Sequence, residues 1–268
     1  MKGTIKIASL FLVTLFAIFI IPKNIIQPVH GRSTGSAAFC PNWYDPTQDP
    51  PGELQLAQVA TEHIAYFMNQ VYDYSILAIN DSAIVPSYRA AIQYLNCEDE
   101  VAFFSKGHRD LWPDEIYDHM ALFDHYGNEV RDSEDIYPYS SGKFRFVFLW
   151  HCETAEMYPS TDDEGMPYCF THNNNMVLYG QDNGYNVFLG WQEGSPAFVT
   201  IIDQQYPWGY WQYAHWVYLF FAAMSWGWTV EGALSYACNI IYSQDFTCTP
   251  LYYWLKVWGC EDICWPLY

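Results

Sequence analysis

Basic residues are what this chain most lacks: 11 Lys+Arg stand against 30 Asp+Glu in 268 residues, a formal charge of -19. A face that binds nucleic-acid phosphates needs clustered Lys and Arg, so a nucleic-acid partner is excluded. Long apolar runs are also missing. The uncharged apolar run Ile7 to Pro22 is short of the roughly 20 residues a helix needs to cross the hydrocarbon core. There is no internal repeat and no low-complexity tract. Eight cysteines are too few for a small disulfide scaffold, but enough to raise the question of an oxidising compartment. Cys260 and Cys264 are separated by three residues and lack a second pair, and His119, His125 and His172 share no metal spacing, so no metal site is expected from them.

What is present is apolar and aromatic: 51% hydrophobic residues, 12 Trp and 23 Tyr. That content excludes a disordered acidic chain and puts the charge on the surface of a folded domain. Lys2 and Lys6 before the Ile7–Pro22 run, which Lys23 ends, form the pattern of a secretory signal over residues 1–31, with small residues suited to cleavage at Gly31 and at Ala37-Ala38. A retained amino-terminal anchor is the alternative and the only membrane contact expected. Cleavage near Gly31 removes three lysines and no acid, leaving 8 Lys+Arg against 30 acids, or -22. The expected location is extracellular or at the cell surface.

Prolines at 41, 46, 50 and 51 describe an extended leader over 32–52. From Glu53 to Tyr72, apolar residues at 54, 57, 60, 64, 67, 68 and 71 follow one helical face. Further helices are expected at 87–95, 215–224 and 229–241. Strands are expected at 74–79, 101–105, 144–150 and 187–191, with a hairpin across Met120 to Val130. Short apolar strands alternating with helices predict an α/β architecture with a mostly parallel sheet over 53–241, followed by a Cys-rich tail at 242–268. Cys238, Cys248, Cys260 and Cys264 are close enough in sequence to staple that tail by disulfides, in three alternative pairings.

Two of the apolar strands end in reactive side chains. VAFFSKGH delivers His108 and FRFVFLWHC delivers Cys152. In a parallel sheet these ends share the edge where sites are built, so neighbouring strands bring imidazole and thiol together. The imidazole accepts the thiol proton and returns one to a leaving amine. Gly107 permits close backbone approach, and the backbone at Gly107, Arg109 and Cys152 is the candidate oxyanion site.

The pair "apolar strand, Gly-His" and "apolar strand, Cys-Glu-Thr-Ala" resembles the clan CD cysteine peptidases, among them caspases, gingipains and, most closely, CHAT peptidases. The segment Thr229 to Ala237 is similar to the closing helices of that fold. The resemblance implies a caspase-like three-layer sandwich with a mostly parallel central sheet flanked by helices. It also implies hydrolysis of a protein or peptide substrate through a thioester on Cys152, with His108 as acid and base and no cofactor. Two departures stand out: Arg109 follows the His where the family usually has Gly, and His151 precedes the Cys where Asp, Ala or Ser is usual.

Other features have simpler readings. The run Asp162, Asp163, Glu164 reads as a solvated loop, with a Ca²⁺ site or an anionic rim as the sharper option. Trp208, Tyr210, Trp211, Tyr213 and Trp216 read as core rings. Their sharper option is a platform for sugars, which makes a glycan-binding or glycoside-processing surface protein the alternative function; a catalytically inactive caspase-like protein is the other.

Overall fold

A computed structural model describes residues 32–113, 118–155, 165–180, 185–202 and 211–266. Strands β1 (Thr34–Cys40), β2 (Tyr74–Ile79), β3 (Glu100–Lys106), β7 (Phe144–Trp150), β8 (Val187–Trp191) and β9 (Leu255–Gly259) form a six-stranded sheet in the order β2-β1-β3-β7-β8-β9. All neighbours are parallel except β9, which runs antiparallel to β8. Strands β4 (Arg109–Pro113), β5 (Asp118–Phe123) and β6 (Glu129–Arg131) make a small antiparallel sheet of their own.

The period of two in a strand explains the layers. In β3, Ala102 and Phe104 join one core with Phe146 and Phe148, while Val101 and Phe103 join a second core with Val147 and Leu149. Helices α1 (Glu53–Val71), α4 (Tyr213–Ser225) and α5 (Val230–Tyr242) cover the first face, through residues such as Ile64, Phe221 and Leu234. Helices α2 (Val85–Leu95) and α3 (Gly165–Thr171) and the small sheet cover the second, through Ile92, Phe170 and Leu122. The fold is thus a three-layer α/β sandwich with a mostly parallel central sheet. With both faces covered, a parallel strand reads as a continuous apolar run rather than an alternating one. Each fully buried Phe of β3 and β7 is worth about 1.5–3 kcal/mol of burial.

Two stretches differ from the sequence reading. The supposed leader over 32–52 contains β1, a completely covered strand between β2 and β3. At its start glycine is required by the close approach of α2: a Cβ on Gly35 would stand 2.6 Å from Leu95. Cleavage at Ala37-Ala38 would cut this strand, so that alternative conflicts with the fold. The supposed tail supplies β9, whose residues Leu255, Val257 and Gly259 are buried while Lys256 and Trp258 are half-buried. The domain boundaries at 52 and 241 therefore fall away, and Gly31–Tyr268 forms a single unit. The signal segment 1–31 lies outside the described residues. No helix among the described residues is long and apolar enough to cross a membrane.

Candidate active site

The chain leaves β1 for β2 on one side and returns to β3 on the other, so the strand order reverses at β1. Such reversals open a crevice beyond the carboxyl ends of the strands. A small pocket lies there, lined by Asn42, Trp43, Asp49, Lys106, Gly107 and His108 among others. On the other flank of β3, Lys106 is paired with Trp150 of β7. His108 and Cys152 each follow that pair by two residues, so the candidate base and nucleophile leave the same edge of adjacent strands at the same offset.

His108 is held by a residue the sequence reading placed in a leader. Its Nε2 lies 3.0 Å from both carboxylate oxygens of Asp49. A carboxylate accepts, so Nε2 carries the proton, and in the neutral ring Nδ1 keeps its lone pair. Among the described residues Nδ1 has no hydrogen-bond partner. Asp49 is presented by a turn in which the Asp49 N–H donates to the Asp45 carbonyl at 2.8 Å and the Asp45 N–H donates to the Asp49 carboxylate at 2.8 Å. Burial works against the Asp49 charge, yet hydrogen bonds from His108 and from the Asp45 N–H, with the charges of His108 and Lys106, hold its carboxyl below the usual range. Trp43 packs its ring edge-on to His108, with centroids 5.8 Å apart. Behind them Glu53 and Lys106 form a buried ion pair at 3.2 Å, and Glu53 also accepts from the Val199 N–H at 3.0 Å.

Cys152 is partly exposed and forms no disulfide. Its Sγ accepts from the backbone N–H of Ser195 at 3.2 Å, and the Ser195 hydroxyl lies 3.6 Å away. That loop follows β8 and is tied down by Gln192 N–H to Trp254 O at 2.8 Å and by Glu153 N–H to Glu193 O at 2.9 Å. Arg109 pairs with Glu153, the residue after Cys152, so its charge is already matched.

The expected oxyanion donors divide. The Gly107 N–H donates to the Trp150 carbonyl at 3.3 Å and is committed to the β3–β7 ladder. Arg109 opens β4 opposite Leu122, so its backbone belongs to the small sheet, a strand that no periodicity announced. The Cys152 N–H makes no hydrogen bond among the described residues.

The remaining candidates sit elsewhere. The acidic run 162–164 and Trp208 and Tyr210 lie outside the described residues. Tyr213 and Trp216 are buried in the core, and Trp211 packs against it. Cys238, one of the cysteines of the expected tail staple, is buried and accepts from the Trp216 indole N–H at 3.2 Å. His125 meets the Pro41 carbonyl at 2.7 Å and His172 stacks on Tyr137. Among the described residues no group of three or more His, Cys, Asp or Glu is placed to hold a metal ion.

No protein-family model and no curated protein matches the chain. A solved structure with partial likeness is that of protein GSU0716 from Geobacter sulfurreducens, at 17% identity, with a TM-score of 0.36. The match spans 45% of this chain and half the length of that one.

Proposed function

We propose that the protein is a caspase-like cysteine endopeptidase of the clan CD type, acting outside the cell on protein or peptide substrates. The observation that carries this reading is the equal offset of His108 and Cys152 beyond the paired residues Lys106 and Trp150. Asp49 supports it by turning the basic nitrogen of His108, Nδ1, away from the carboxylate.

The chemistry then follows from the groups present. His108 Nδ1 takes the Cys152 proton, and Sγ attacks the scissile carbonyl carbon. The Cys152 N–H stabilises the resulting oxyanion. As the C–N bond breaks, His108 gives its proton to the leaving amine and a thioester remains. Water, deprotonated by His108, hydrolyses the thioester, and the proton returns to the thiol. Asp49 stays ionised and steadies the imidazolium between steps.

A peptide library incubated with the wild type, Cys152→Ala and His108→Ala tests this. Cleavage by the wild type alone is the expected result, and equal cleavage by all three sinks the proposal.

A further inference from the structure

His151 comes immediately before Cys152 and is completely buried. Its Nδ1 lies 2.9 Å from the backbone carbonyl of His108, and its Nε2 lies 2.9 Å from the Ser105 hydroxyl. The Ser105 hydroxyl in turn lies 2.9 Å from the Tyr88 hydroxyl. A carbonyl oxygen only accepts, so Nδ1 carries the proton. Burial, joined by the charges of Lys106 and His108, pushes the ring pKa down to about 3 against the bond to the His108 carbonyl. The ring is therefore neutral, and Nε2 is an acceptor. Ser105 donates to it and accepts from Tyr88, which gives the relay one direction throughout.

The backbone opposite is shaped to the same ring. A Cβ on Gly107 would stand 2.9 Å from His151 Cε1. Glycine precedes His108 because the imidazole fills the space where a side chain would go. Ser105, Gly107 and His108 on the β3 side thus all fit one imidazole supplied by the β7 side.

We propose that His151 is a positioning residue, a neutral imidazole that ties the His108 peptide to the Cys152 segment and so sets the distance between base and nucleophile. This rests on the peptidase reading. It also accounts for a histidine at this position, since one planar ring donates at one nitrogen and accepts at the other across two strands.

The test uses the full chain, with His151→Leu to remove both contacts and His151→Asn to keep a donor toward the His108 carbonyl. Misplacing reacting groups by about 1 Å costs on the order of 100-fold in rate. His151→Leu is expected to lose about that much in kcat with KM little changed, and His151→Asn to recover about tenfold. Imidazole ¹⁵N spectra of the wild type are expected to show His151 as the neutral Nδ1–H tautomer from pH 7 to 5. If His151→Leu does not fold, Ser105→Ala removes only the Nε2 partner and is expected to lower kcat several-fold at unchanged KM. A protonated or Nε2–H ring at pH 7, or full kcat in His151→Leu, or in Ser105→Ala where that variant stands in, overturns the positioning role alone. A wild type that hydrolyses no peptide overturns the peptidase reading beneath it.

Discussion

The carboxyl edge of the sheet carries two cysteines and two histidines, and one of each is buried while the other is open. Cys40 ends β1 inside the core, donates to the Asn42 side-chain oxygen at 3.1 Å, and is pushed up to about 11 by burial, which outweighs the nearby charge of Lys106. Cys152 stands two residues beyond the end of β7, partly exposed beside the Ser195 loop. His151 is sealed in and neutral, whereas His108 faces the crevice with a carboxylate behind it. A residue type at a strand end is therefore not a function. One or two steps past the last ladder bond separate a side chain that packs from one that can react.

Four measurements would break or sharpen that contrast. The largest effect belongs to the thiols: Cys152→Ala should lower peptide cleavage by at least about 1,000-fold, while Cys40→Ala should cleave at close to the wild-type rate, as steady-state kinetics would record. Equal losses would erase the distinction. Next comes the carboxylate behind His108. Asp49→Asn keeps the shape but no longer holds the proton on Nε2, and should cost on the order of 100-fold in kcat.

A smaller contrast is expected in labelling. Under native conditions iodoacetamide should modify Cys152 at least about tenfold faster than Cys40 or Cys238, both buried, as read by peptide mass spectrometry. Prior unfolding should abolish the difference.

The smallest effect distinguishes the histidines through stability. An unfolded His151 takes up a proton near pH 6.5, but the folded one does so only near 3, so between these values the unfolded state binds more protons. Stability from His151 is present above about pH 6.5 and falls by about 1.4 kcal/mol for each unit of acidification below it. Urea titrations from pH 7 to 4 should show a slope that His151→Asn flattens. An unchanged slope would mean that the ring is not buried in its neutral form.

Much of this arrangement was legible in the sequence. The helices read at 53–72 and 87–95 and the strands read at 74–79, 101–105, 144–150 and 187–191 fall within about two residues of the observed elements, and they and the placing of His108 and Cys152 at strand ends follow from apolar runs and their punctuation. Strand β1 was not legible, because Gly35, Ser36, Ala37 and Ala38 offer neither alternation nor bulk and follow a segment that reads as a leader. Strand β9 does alternate, but it stands among cysteines that draw attention to disulfides instead. Asp49 was hidden among 30 acids, 59 residues from its partner, in a loop whose prolines suggest nothing packed. His151 was visible only as a departure from a family pattern. Its role depends on a carbonyl and a hydroxyl from another strand, which no local pattern reveals.

The antiparallel strand β9 has a consequence for the order of assembly. In a chain made from its amino terminus, β9 emerges after every other strand of the sheet, yet it pairs with all of β8, and Trp254 beside it anchors Gln192 in the loop that reaches Cys152. The thiol is therefore synthesised about a hundred residues before its surroundings are complete, roughly 5–20 s at ordinary elongation rates. During that interval the nascent chain carries the proposed nucleophile on an unfinished scaffold, a built-in delay between making the thiol and housing it.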